Sequence, residues 1–209
     1  HDFIFGNIIK HLRKKNKVKI IYLNLTKINS KKIFNFLKHN KEIYILNKIL
    51  TLKGELIVLK DQITEFYNLL INLSIKRLGI KNYVLILANV FSYETRNNFR
   101  LRMQINYLVK LIKPSLVALS FEGNCWEKGV FNVCKNLEKN KKIKYKTVGY
   151  QHAGIMNLQT IINHRYKNFF NPDFVITSGK NNMKYFYKFF KTKKKIFEIG
   201  SNRHVQNIN

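Results

Sequence analysis

The sequence predicts an α/β fold: a mostly parallel sheet flanked by helices. Three observations carry this prediction. Short β-branched, apolar runs alternate with longer stretches of helical periodicity along the chain. No internal repeat and no Pro/Ser-rich linker interrupts that alternation. The segment from Ser115 to Gly154 reads as strand, helix, strand, the unit of a right-handed parallel crossover.

Taken in order, Val18 to Leu25 reads as a buried strand. Ser30 is placed to cap a helix over Lys31–His39, with Phe34 and Leu37 on its apolar face. Glu42 to Leu46 is a second strand, and after Gly54 the run Leu56 to Leu59 is a third. Asp61 then caps a long helix to Leu78, with Gly79 at its C-terminal end. Tyr83 to Val90 fits strand or helix, and we read it as a strand. Phe91 to Asn97 is a polar connector, and a helix from Asn98 to Ile112 is stopped by Pro114. A strand at Ser115, a helix from Cys125 to Asn140 and a strand at Tyr145 follow. Asn157 to Phe170 is partly helical, Asp173 to Thr177 a strand, Asn181 to Phe190 an aromatic, lysine-rich helix, and Ile196 to Ile199 the last strand.

Bulk properties narrow the function classes. With 209 residues the chain suffices for one sizeable domain, and its 45% hydrophobic content argues against wholesale disorder. It opens on His1 rather than Met and stops just past a strand, so a longer natural chain is expected. The net charge of +28 favours phosphate-rich partners or an anionic membrane surface. The competing explanation is compositional: abundant Lys, Asn and Ile are all written with A/T-rich codons, and the lysines are scattered. No zinc-finger spacing, RNP-type aromatic motif or basic-region heptad is present, so no specific nucleic-acid partner is expected. Cys125 and Cys134 would lie roughly 13 Å apart on one helix, too far to bridge, which suits a reducing cytoplasm. The run YVLILANVF from Tyr83 is far short of the ~20 residues of a membrane span.

Ligands of parallel α/β sheets bind beyond the carboxyl ends of the strands. Four such ends carry chemistry. Glu122 closes the Ser115 strand, where a carboxylate can act as a general base on a hydroxyl. Glu127, three residues after Asn124, instead reads as a capping-box glutamate. Trp126, Val130, Val133 and Leu137 form a core stripe. Gln151, His152 and Gly154 follow the second strand; an imidazole there can donate to a phosphate or accept a proton, and Gly149 and Gly154 permit close backbone approach. Ser178-Gly179-Lys180 and Gly200-Ser201-Asn202-Arg203 each join a strand end to a hydroxyl and a cation, and amides at such a turn can hold an anion. Neither is a Walker loop, and the plain alternative is a solvated turn. Asp173 reads as a structural residue at the opposite edge. The histidines show no metal-ligand spacing, and no metal is expected.

In order, SFEGNCWEKGVFNVCK, TVGYQHAGI, NPDFVITSGK and IFEIGSNRH resemble the bacterial surface-carbohydrate biosynthesis family of GT-B glycosyltransferases. That family builds capsule and lipopolysaccharide and includes the Kdo transferases. Similar Gly-x-x-His and Pro-Asp patterns occur in CDP-glycerol glycerophosphotransferases. The resemblance covers Ser115 to His204, and Ala153 departs from it where the family often has Gly. It implies a Rossmann-like N-terminal, acceptor-side domain over residues 1–200, with residues 201–209 beginning the crossing to a C-terminal nucleotide-sugar domain. It implies Glu122 and His152 as catalytic residues, and Gln151, Gly154, Lys180, Ser201 and Arg203 as substrate-binding residues. The implied substrates are a nucleotide-sugar donor and a polysaccharide or glycolipid acceptor. No other cofactor is implied. The implied location is the cytoplasm, peripheral at the inner membrane face, and this segment alone is expected to be weakly active or inactive. The rival reading is a basic nucleic-acid or anionic-membrane binding module without catalysis. A third is a non-catalytic half that only docks a partner domain.

Overall fold

The computed structural model describes residues 12–14, 17–23, 42–46, 49–73, 75–140, 145–151, 170–190 and 195–199. The fold is α/β with parallel, Rossmann-like strand pairing, and the chain divides into two compact units.

The unit Lys19–Tyr107 begins with β1 (Ile20–Leu23) and β2 (Ile43–Leu46), which pair in parallel with Ile20 opposite Ile43. Both coincide with apolar runs read from the sequence. The helix expected over Lys31–His39 lies outside the described residues. The helices α1 (Leu52–Asn72), α2 (Ile75–Leu78), α3 (Ile80–Asn89) and α4 (Tyr93–Ile112) follow, α4 belonging to this unit as far as Tyr107.

Two expected strands are therefore helical. Leu56–Leu59 lies within α1, which Thr51 caps by accepting the Gly54 N–H, ten residues before Asp61. Gly54 is not punctuation between elements. It lies in the first turn, where a Cβ would come within 2.9 Å of Leu50 Cβ and 3.1 Å of Met103 Cε. Gly54, Val58 and Gln62, spaced by four, form the buried face of α1, so the apolar run wraps a helix. Leu56, Leu59 and Ile63 remain exposed on α1. Glu55 braces this start: its carboxylate accepts the Leu50 N–H and pairs with Arg100 of α4 at 2.7 Å. The Arg100 guanidinium holds the Glu55 carboxyl below the usual range.

Tyr83 to Val90 is the later part of α3 and its C-terminal cap; Leu85, Leu87 and Ala88 favour a helix while Tyr83, Val84, Ile86 and Val90 favour a strand, so propensity does not decide the run. Gly79 does serve a C-terminus, donating its N–H to Ile75 O at the end of α2 with φ +73°. The expected connector Phe91–Asn97 shortens to a turn, because α4 already starts at Tyr93.

The second unit, His1–Val18 with Leu108–Asn209, holds the larger sheet. Its elements are β3 (Leu116–Ser120), α5 (Cys125–Lys139), β4 (Lys146–Gln151), β5 (Phe174–Thr177), α6 (Lys180–Phe190) and β6 (Ile196–Glu198). The strands lie in the order β3-β4-β5-β6, every pair parallel. Sequential order with right-handed crossovers places the crossover helices on one face. The core agrees: Phe131 of α5 and Phe186 of α6 pack with Phe121, Val175 and Ile196. Phe121 meets Phe131 edge-on at 5.6 Å between ring centroids and stacks on Phe186 at 5.9 Å. Gly149 makes room for that ring, since a Cβ there would fall 2.7 Å from Phe121 Cβ and 3.0 Å from Pro172 Cγ. Val130, Val133 and Leu137 are buried as the helical stripe predicts, and Trp126 half-buried.

Asp173 closes the amino-terminal edge. It pairs with Lys135 and accepts from the Thr147 N–H and Oγ1, each at 2.9 Å. Burial alone would raise its carboxyl, but these bonds hold it below the usual range.

The cysteines give a direct check on this packing. Cys125 is exposed and Cys134 fully buried, its thiol pushed up to about 11 by burial. A thiol-specific reagent on the native protein is expected to modify Cys125 at once and Cys134 only after denaturant is added. Equal rates at both would contradict the α5 packing.

Candidate functional site at the carboxyl edge of the sheet

Register brings the strand ends of the larger sheet level. Ser120 stands opposite Tyr150, and Gln151 opposite Thr177. The ladders run one step further: Phe121 N–H donates to Tyr150 O, Ser178 N–H to Gln151 O and Ile199 N–H to Thr177 O. The turn after β3, the last residue of β4 and the turn after β5 therefore share one edge.

Of the residues read from the sequence, Glu122, Gln151 and Lys180 are on this edge: half-buried, buried and exposed, respectively. His152, Gly154, Ser201 and Arg203 lie outside the described residues. Gly149 is spaced for packing, with Phe121 and Pro172 as the close neighbours.

Glu127 does more than the expected capping. The capping box with Asn124 is present. The same carboxylate is fully buried and gathers the whole turn after β3. Its Oε2 accepts the N–H groups of Glu122 at 2.9 Å, Gly123 at 2.8 Å and Asn124 at 2.9 Å, while Oε1 accepts Ser120 Oγ at 3.0 Å. Gly123, at φ +89°, supplies the left-handed residue that lets three successive amides converge. Burial pushes the Glu127 carboxyl above the usual range, and the hydrogen bonds oppose that push without cancelling it. Burial likewise lowers the neighbouring Lys128 ammonium. Glu127 thus fixes the backbone that carries Glu122. The N-x-x-E spacing signalled the cap, but nothing in it announced the convergence of Ser120 and Glu122.

At the neighbouring strand ends, Gln151 is tied to the first turn of α6. Its Oε1 accepts Asn182 Nδ2 at 3.0 Å, and Asn182 Nδ2 also reaches Ser178 Oγ at 3.0 Å. The Gln151 Nε2 is buried and has no hydrogen-bond partner among the described residues. Thr177 is buried below, its Oγ1 near the carbonyls of Gly179 and Phe197. Asn182 is the contributor that sequence reading missed; an Asn in a first helical turn is too common to stand out.

Chemically, the edge offers a carboxylate on a braced turn, a buried carboxamide, a helix N-terminus and an exposed ammonium. Among the described residues no group of three His, Cys, Asp or Glu side chains is arranged to hold a metal, and no helix is long and apolar enough to cross a membrane. The chain matches no protein-family model, no characterised protein and no solved structure.

Proposed function

We propose that this chain supplies one catalytic edge of a glycosyltransferase, moving a sugar from a nucleotide-activated donor to a surface polysaccharide or glycolipid acceptor. In this reading it is the N-terminal, acceptor-side domain of a GT-B architecture. One observation carries the reading: Glu122, Gln151 and Lys180 lie at the carboxyl edge of adjacent parallel strands, where such sheets bind ligands. Glycosyl transfer needs a proton acceptor at the attacking hydroxyl and positive charge near the departing phosphate. Glu122, on a turn braced by Glu127, meets the first need. His152, next in sequence after Gln151, is the second proton acceptor. Lys180 meets the second need, with Arg203 as a further cation. The +28 charge suits an anionic glycolipid at the inner membrane face.

The test is sugar transfer by the full-length gene product over a panel of nucleotide-sugars. Glu122→Gln is expected to lower turnover by about 100-fold or more, the scale of a lost general base, with the circular dichroism spectrum unchanged. Turnover equal to that of the wild type would remove Glu122 from the mechanism.

A further inference from the structure

We infer that the first turn of α6, with the Gln151 carboxamide beneath it, is a binding site for a phosphoryl group. Two independent features converge there. The first is the helix start. The N–H groups of Gly179, Lys180 and Asn181 find no acceptor among the described residues, and the first turn carries no acidic residue. By contrast, α1 is capped by Thr51 and α5 by its capping box. Free N-terminal amides and the helix dipole favour an oxyanion. The second is Gln151. A fully buried carboxamide donor without a partner is costly, and its own oxygen is bonded to Asn182 in that same turn. An anion at the turn gives Nε2 its acceptor.

The surroundings fit a ligand oxygen. Among the described residues a Cβ on Gly179 would meet nothing within 4 Å, which leaves open space beside the amides. Lys180 is exposed and adds a cation. Three amides, a carboxamide and an ammonium are the donor set of a phosphate, whose oxygens accept several hydrogen bonds each. The site stands on this geometry whether or not a sugar is transferred.

Gly179→Asp separates binding from folding. The substitution enters open space and places a carboxylate at a cap position, which stabilises helices, while repelling an anion. Gln151→Met removes the unpartnered donor, together with the oxygen that accepts from Asn182, at nearly constant shape. Lys146→Gln, at the opposite end of β4, controls for net charge, because it changes the charge by as much as Gly179→Asp does. Calorimetric titration with inorganic phosphate, and separately with a nucleoside diphosphate, is the measurement. The expected result is saturable binding that weakens about tenfold or more in Gly179→Asp and Gln151→Met and persists in Lys146→Gln, with the melting temperature of Gly179→Asp not lowered. Tighter binding of the diphosphate assigns the phosphoryl group to a nucleotide, and equal binding assigns the site to free phosphate. Equal losses in all three variants, or no saturable binding, overturn the proposal. Phosphate binding without sugar transfer would keep this site and remove the enzyme reading.

Discussion

Glu127→Ala is expected to destabilise the second unit by about 3 kcal/mol, because it strands the buried Ser120 and Gly123 donors and the half-buried Glu122 and Asn124 amides that one carboxylate now satisfies. Glu127→Gln is expected to keep most of the stability. A glutamine matches the protonated acid: its oxygen accepts the three amides and its nitrogen donates to Ser120 Oγ. The pH dependence then has a definite sign. Because burial raises the folded carboxyl above its ordinary value of 4.5, the native state holds the proton more tightly than the unfolded chain. The stabilising contribution is complete below 4.5 and is lost as pH rises through the folded value. Wild-type stability relative to Glu127→Gln should therefore fall from acidic to neutral pH in urea titrations. A constant difference would show that Glu127 is not protonated more readily in the fold.

Gly149→Ala is expected to cost about 3 kcal/mol, near the upper end of overpacking effects. Its new methyl would sit 2.7 Å from Phe121 Cβ, an atom tied directly to the backbone just after β3, and 3.0 Å from Pro172 Cγ. No rotamer change moves a Cβ away, so either the strands separate or Phe121 leaves its place between Phe131 and Phe186. Gly179→Ala, facing open space, should cost little. Chemical denaturation of the two variants gives the comparison, and equal losses would contradict the core as described.

The second unit was largely legible in the sequence, and the first only in part. From Ser115 onward β3 is a short apolar run, β4, β5 and β6 carry β-branched or aromatic residues, and each described helix opens behind a polar turn, so period and punctuation agree. In the first unit the run Leu56–Leu59 and the run from Tyr83 are apolar on every side, and periodicity cannot separate strand from helix there. The deciding facts were three-dimensional: Gly54 pressed against Met103, and Val58 and Gln62 buried on one stripe.

The candidate site divides the same way. That Glu122, Gln151 and Lys180 stand at the carboxyl ends of strands in a mostly parallel sheet followed from the alternation of strands and helices. The chain's own spacing could not show that Glu127 anchors three amides, or that Gln151 holds a donor with no acceptor among the described residues. Both depend on which groups converge after folding, and on burial, which turns a common residue type into a costly or a braced one.

The central claim is that the carboxyl edge of the larger sheet is the working surface. Amide-resolved chemical-shift mapping during titration with a pool of nucleotide-activated sugars tests it directly. Shifts are expected to gather at Glu122–Asn124, Gln151 and Ser178–Asn181, while Leu116, Lys146 and Phe174 at the amino-terminal end stay still. Shifts spread over lysines on every face, or confined to the amino-terminal end, would contradict it.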